Sequence, residues 1–305
     1  MTITPAIATR ALSKTYKDVR ALDNVNLELL PNRMYGLLGR NGAGKTTLMS
    51  ILTGQNFADS GEAEIFGHNP FEHDATLSRI CFIRESQKYP DDFRAHQAFK
   101  AAALFFENWN EELAQDLIAA FNLPVKRRIK KLSRGQLSAV GVIIGMASRA
   151  EVTFFDEPYL GLDAVARQIF YDRLVEDFAE YPRTIVLSSH LIDEVANLLE
   201  HVIVIDQGRI VVDDDAEELR GSAVTVTGSA ERVEEFISGY PVIHRDALGS
   251  LASTSIRARL SSSERDKALA LGLELSPVSL QQLVVRSTLS RVETLVPAGE
   301  QEARK

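Results

Sequence analysis

The sequence predicts an α/β fold: a mostly parallel, doubly wound sheet with a helical insertion, followed by a small α+β unit of ferredoxin-like order. Three observations predict it. A glycine-rich loop lies between a short apolar strand and a helix. Further apolar strands then alternate with helical segments, the pattern of a parallel sheet with helices on both faces. Near residue 220 the composition shifts, and a new strand, helix, strand, strand, helix, strand order begins.

The elements follow in chain order. "ALDNVNLELL" alternates apolar and polar with period 2, the pattern of a half-buried strand. Pro31 and Asn32 make the turn, and "MYGLLG" is a short strand ending at Gly39. Residues 45–53 read as a helix that Gly54 ends. "RICFIRE" is strand-like and carries the chain's one cysteine, Cys81, as a small core residue. Residues 86–150 are Ala-rich and helical in spacing, an insertion within a first domain spanning 1–220. "VTFFDEP" and "RTIVLSSH" read as buried strands, each followed by a helical segment. "HVIVIDQGRIVVDD" is a hairpin turning near Gln207-Gly208. In the second domain, 221–294, helices are expected at 230–238 and 263–271, with a strand at 254–260 between them. Ser261 with Glu264, and Ser279 with Gln282, have capping-box spacing. Residues 295–305 form a polar tail expected to be disordered.

Composition narrows the class. Of 305 residues, 45% are apolar and 25% charged, as in a globular protein. The net charge of −8 argues against non-specific nucleic-acid binding. A single cysteine excludes an internal disulfide framework. No run approaches the roughly 18 apolar residues of a membrane span. "MTITPAIATR" lacks the basic and apolar regions of a signal peptide. The expected location is the cytosol, with any membrane role reached through a partner.

"GRNGAGKTTLM" carries the chemistry. Gly39, Gly44, Lys45 and Thr46 satisfy the phosphate-loop spacing G-x-x-x-x-G-K-[ST]. The backbone N–H groups of Gly39, Arg40, Asn41, Gly42, Ala43 and Gly44, with the helix N-terminus behind them, form an anion nest. Lys45 brings a charge to the β- and γ-phosphates, the Thr46 hydroxyl is a Mg²⁺ ligand, and Thr47 follows on the helix. A glycine-rich turn that merely capped a helix would leave Lys45 unexplained. "VTFFDEPYLGLD" ends a strand in two carboxylates, at the sheet edge where the phosphate loop sits. There Asp156 would hold Mg²⁺, directly or through water, and Glu157 would polarise the attacking water as general base.

"LSRGQ", residues 132–136, decides among phosphate-loop proteins. With the phosphate loop and "DEP" it resembles the signature of ATP-binding cassette (ABC) ATPases, usually LSGGQ. Arg134 departs from it; Ser133 and Gly135 match. The resemblance covers residues 3 to about 220 and implies a P-loop NTPase that binds ATP with Mg²⁺. It implies that Ser133, Gly135 and Gln136 of one subunit meet the γ-phosphate held by another. Ser133 also reads as an N-cap of the helix that follows. By the same resemblance Tyr16, 29 residues before Lys45, stacks on adenine, although a strand Tyr more often packs than stacks. Asp163 in "YLGLD" sits at the subunit interface, and His190 in "SSH" is the switch histidine on the γ-phosphate. The family's Gln at the entry to the helical insertion, which reaches Mg²⁺ and water, falls on Glu85 by spacing from the strand. Gln87 is the alternate.

Among cassette proteins, translation factors need two phosphate loops in one chain, and DNA-repair ATPases need a coiled-coil or zinc insertion. One phosphate loop and no Cys cluster leave the ATPase subunit of a transporter. "IRESQKYPDDF", "LSRGQ" and "SLQQLVVRSTLSR" look similar to stand-alone ATPases of bacterial export systems. The expected partners are an integral-membrane permease, met by the helical insertion, and a second ATPase subunit paired head-to-tail. That places the chain on the inner face of the cell membrane.

Overall fold

The computed structural model describes residues 4–85 and 87–285. The expected polar tail, and the part of "SLQQLVVRSTLSR" from residue 286 on, lie outside the described residues. Along the chain run β1 (Ile7–Tyr16), β2 (Val19–Leu29), β3 (Met34–Leu38), α1 (Lys45–Leu52), β4 (Ser60–Ile65), α2 (Asp74–Leu77) and β5 (Ile80–Arg84). Then come α3 (Ala95–Phe105), α4 (Glu111–Ala120), α5 (Arg134–Ala147), β6 (Val152–Asp156), α6 (Ala164–Glu180), β7 (Thr184–Ser189) and α7 (Ile192–Val195). The chain continues with β8 (His201–Asp206), β9 (Arg209–Asp215), α8 (Ala216–Gly221), β10 (Val224–Ser229) and α9 (Ala230–Ile237). Then follow β11 (Val242–Leu248), β12 (Leu251–Ile256), α10 (Ser262–Ala270) and β13 (Glu274–Pro277).

Two compact units emerge. The first holds residues 1–191 and 197–210; the second holds 192–196 and 211–305. The break thus falls within β9, ten residues before the composition shift at 220. Residues 192–196 join the second unit through side chains: Asp193 accepts from the Gln281 N–H at 3.4 Å, and the Arg220 guanidinium donates to the Ala196 carbonyl.

In the first unit the main sheet has the order β5-β6-β7-β3-β8-β9, parallel across the β5–β6, β6–β7, β7–β3 and β3–β8 pairs. Every residue of β3, β6 and β7 is buried, as expected of parallel strands covered on both faces. A separate antiparallel sheet, β2-β1-β4, packs into the same core, where Val25, Leu27 and Leu29 turn the alternating face of β2 inward. The helical insertion contains α3, α4 and α5; of these α5, from Ala139 onward, is wholly buried. Cys81 is buried in β5, and burial pushes its thiol up to about 12, so it is an inert core residue.

The second unit has a four-stranded antiparallel sheet in the order β11-β12-β10-β13. β12 lies between the two strands that α9 connects, which is the split β-α-β order expected. Val226, Val233, Phe236, Ile256 and Ala268 centre its core. The strand expected at 254–260 instead ends at Ile256. Its ladder partner begins only at Val242, and beyond that pair the Arg257 N–H turns to the Pro241 carbonyl at 2.8 Å.

Candidate active site

β3 hands the chain to α1 through a loop with Gly39, Gly42 and Gly44 at φ of 154°, 80° and 117°. At Gly44 the left-handed backbone is also crowded: a Cβ there would lie 2.5 Å from the Ala21 carbonyl oxygen. Only glycine fits, and it locks the loop against β2. From the other side the Gly208 N–H, in the β8–β9 turn, donates to the Ala43 carbonyl at 2.9 Å. Lys45 is 6% exposed and folds back beneath the loop, its Nζ donating to the Gly39 carbonyl at 2.7 Å and the Arg40 carbonyl at 3.3 Å.

β6 delivers its two carboxylates to this loop. Thr46 Oγ1 donates to Asp156 Oδ2 at 2.8 Å, and Ser188 Oγ, near the end of β7, donates to Asp156 Oδ1 at 2.7 Å. Glu157 has φ 51°, a left-handed conformation that few non-glycine residues adopt, and its N–H donates to Ser188 Oγ at 3.0 Å. Its two oxygens differ. Oε1 is buried, makes no hydrogen bond, and lies 3.4 Å from Lys45 Nζ. Oε2 accepts from the Tyr159 hydroxyl and lies 2.7 Å from His190 Nδ1. Oε1, facing Lys45 at the cleft, is the oxygen that suits a general base.

A cleft of about 500 Å³ opens over the loop. Residues 40–47 line one side, and Glu85, Asp156, Glu157 and His190 also line it. Most predicted residues therefore converge. Gln87 is not in the cleft wall; its side-chain oxygen accepts from the Arg84 N–H at 3.3 Å. Tyr16 is also outside the wall, 43% exposed at the end of β1, with Asn56 donating to its hydroxyl and Lys14 Nζ 5.4 Å from its ring centre.

The signature lies apart from this cleft. Ser133 caps α5 in a full capping box: its Oγ accepts from the Gln136 N–H at 3.2 Å, and Gln136 Oε1 accepts from the Ser133 N–H at 3.1 Å. Asp163 caps α6, accepting from the Ala166 N–H at 2.8 Å. The two caps are tied together where the backbones meet: a Cβ on Gly135 would lie 2.6 Å from the Gly161 carbonyl oxygen. Arg134, the departure from the usual signature, donates to Glu85 Oε1 at 2.8 Å. Sequence reading missed Ser188, Ser189 and Tyr159. The two serines stand beside His190 in "SSH", yet nothing local marks a strand-end serine as a carboxylate's partner some 30 residues away.

The motifs and their geometry agree with the comparisons. The family model described as ABC transporter matches residues 22–160. The doxorubicin resistance ATP-binding protein DrrA of Mycobacterium tuberculosis is 31% identical over 228 residues, covering 72% of this chain and 68% of that one. The chain belongs to the ABC transporter ATP-binding proteins. The bacitracin transport ATP-binding protein BcrA of Bacillus licheniformis is 30% identical, over 70% of this chain and 71% of that one. Among solved structures, an ATP-binding subunit of an ABC transporter superposes with a TM-score of 0.63 at 21% identity, covering 70% of this chain and 92% of that one. A dimeric cassette in a post-hydrolysis state, bound to ADP and Pi, gives 0.61 at 20% identity, covering 69% and 98%. As an ABC ATPase the chain binds and hydrolyses ATP. No helix among the described residues is long and apolar enough to cross a membrane.

Proposed function

We propose that this chain energises a separate membrane permease by hydrolysing Mg·ATP between two ATPase subunits paired head-to-tail. The convergence of Lys45, Thr46, Asp156 and Glu157 on one cleft carries the reading. Residues 40–47 cradle the phosphates with backbone N–H groups and Lys45 neutralises them. Thr46 Oγ1 and Asp156 Oδ2, 2.8 Å apart, are the two hard oxygens that would hold Mg²⁺. When bound, Mg²⁺ offsets charge on the transferring phosphoryl group. Glu157 orients and deprotonates water with Oε1, and His190 stands by to contact the γ-phosphate. Glu85 takes the place of the usual Gln at the entry to the insertion. Ser133, Gly135, Gln136 and Asp163 serve the nucleotide of the other subunit, and Tyr16 offers its exposed ring to the adenine.

The names of DrrA, for doxorubicin resistance, and BcrA, for bacitracin transport, support a resistance or transport system as the setting. The permease would meet the helical insertion and hold the chain at the cytoplasmic face of the membrane. The test has two parts. Purified full chain should hydrolyse ATP only while Mg²⁺ is present, with turnover lost to chelator and restored by adding the metal back. Affinity isolation from detergent-solubilised membranes should recover one polytopic protein in stoichiometric amount. A chain that hydrolyses ATP equally well in excess chelator contradicts the Mg²⁺ assignment; one that recovers no membrane protein contradicts the permease.

A further inference from the structure

Tyr159 follows the two carboxylates by three and two residues and has no role in the reading above. Its ring is 1% exposed, and its hydroxyl touches four groups. It lies against Glu157 Oε2, 3.0 Å from Ser189 Oγ, 3.2 Å from His190 Nδ1, and it accepts from the His190 N–H at 3.1 Å.

Donor and acceptor arithmetic fixes this network. A phenol has one hydrogen to give and two lone pairs. Burial above all, and then the bond to Glu157, raise the phenol well above its ordinary range, so the hydroxyl keeps its hydrogen. The Glu157 carboxylate only accepts, so it takes that hydrogen. The His190 main chain only donates and fills one lone pair. Ser189 Oγ accepts from the Leu191 N–H at 2.9 Å and is left to donate its own hydrogen to the second lone pair. His190 Nδ1, 2.7 Å from Glu157 Oε2, then gives its hydrogen to the carboxylate. In this assignment Oε2 takes the network's hydrogens, while Oε1 makes no hydrogen bond and faces Lys45 Nζ at 3.4 Å.

We propose that Tyr159 is a positioning residue for ATP hydrolysis: its hydroxyl clamps Glu157 Oε2 and the His190 main chain together, so that Oε1 is the oxygen presented to water. The proposal rests on Glu157 being the general base. Tyr159 is not in the cleft wall and acts through its neighbours. A fully satisfied buried network of this kind rigidifies the groups it joins, and an orienting error near 1 Å at a reacting atom can cost about 100-fold.

The test compares Tyr159→Phe, Ser189→Ala and Glu157→Gln in the full chain, measuring Mg·ATP turnover and, separately, ATP binding and melting temperature. Tyr159→Phe removes one oxygen and keeps the ring. The expected result is a fall in kcat of about 10- to 100-fold, with ATP affinity within about 2-fold of wild type. Unchanged kcat overturns the proposal, and so does loss of binding in step with kcat, which would mark a merely structural role. Should Tyr159→Phe fail to fold, Ser189→Ala decides. It loosens the hydroxyl from the far side and should lower kcat several-fold with binding retained; unchanged kcat there overturns the proposal as well. Glu157→Gln separates the two readings. If it retains turnover, the general-base assignment fails; if it abolishes turnover while Tyr159→Phe does not, only the tyrosine's role fails.

Discussion

The phosphate-loop half and the signature half of this ATPase are built on opposite plans. In the first, Lys45, Asp156 and Glu157 are 6%, 5% and 8% exposed, and serines, a tyrosine and loop carbonyls hold them in place. In the second, Ser133, Arg134 and Asp163 are exposed, and Ser133, Gln136 and Asp163 spend their hydrogen bonds on helix caps. The buried half is organised for chemistry within one chain. The exposed half is rigid but turned outward, with a helix N-terminus whose dipole favours an anion. That difference supports a division of labour in which each subunit supplies the buried half of one site and the exposed half of the other.

The largest expected effect tests the buried half. Glu157→Gln keeps the shape of the side chain but removes the base, so turnover should fall by about 10²- to 10⁴-fold while ATP still binds. An ATP-dependent dimer should then accumulate, visible by size-exclusion chromatography. Turnover near wild type would place the base elsewhere. Lys45→Ala comes next. A hydrogen bond to a charged group contributes about 1.5–3 kcal/mol, so ATP affinity should fall roughly 10- to 100-fold. Undiminished affinity by titration would mean that the cleft over residues 40–47 is not the nucleotide site.

A pair of matched caps sharpens the comparison. Ser261 caps α10 in the same box geometry as Ser133 caps α5, with Glu264 in the place of Gln136. Ser133→Ala and Ser261→Ala should each cost about 1 kcal/mol locally, seen as faster amide exchange at the start of the helix. Only Ser133→Ala should also lower turnover, by several-fold. Equal turnover in both variants would reduce the signature serine to a cap. The boxes differ in charge as well. Hydrogen bonds from Ser261 and then Tyr240 hold the Glu264 carboxyl down to about 2. A depressed folded-state pKa adds stability above the unfolded value near 4.5 that is lost as pH falls toward 2. The α10 cap should therefore loosen across that window, Glu264→Gln should abolish the dependence, and the α5 cap should show none.

Much of this was legible in the sequence because it is local. The phosphate loop, the two carboxylates after β6 and the signature are runs of a few residues whose order implies their roles. So is the order of the second unit, where capping spacing marks α10. What was not legible is what tertiary structure alone brings together. β1 escapes a period-2 reading because its pairing with β2 shifts register between Thr9 and Leu12 and again before Thr15, with Ala11 at φ 49°. β4 shows only Ala63 and Ile65 as buried positions. Ser188 and Tyr159 act across separations of about 30 residues, and no spacing rule connects a β7 serine to a β6 carboxylate. The unit boundary differs for the same reason: side-chain contacts, which composition does not report, join residues 192–196 to the second unit.

The smallest expected effect lies where the two halves touch within one chain. Arg134 belongs to the signature turn and Glu85 to the cleft wall, and they form an ion pair at 2.8 Å with side chains 72% and 42% exposed. Arg134 departs from the usual signature residue, Glu85 stands in the cleft wall, and their charges are opposite. A Glu near the γ-phosphate adds negative charge where a polyphosphate must bind; the Arg beside it offsets that charge. Exposed pairs of this kind contribute about 0–1 kcal/mol, so the effect on ATP affinity should be no more than about 5-fold. Arg134→Ala alone should weaken ATP binding by that modest factor, because Glu85 then faces the nucleotide unneutralised. Glu85→Gln introduced beside it should restore the affinity, and the whole difference should shrink as ionic strength rises. A double-mutant cycle on ATP affinity at low and high salt measures this. Strictly additive effects at low salt would mean that the two substitutions are independent, and that no charge within the subunit couples the signature turn to the phosphate cleft.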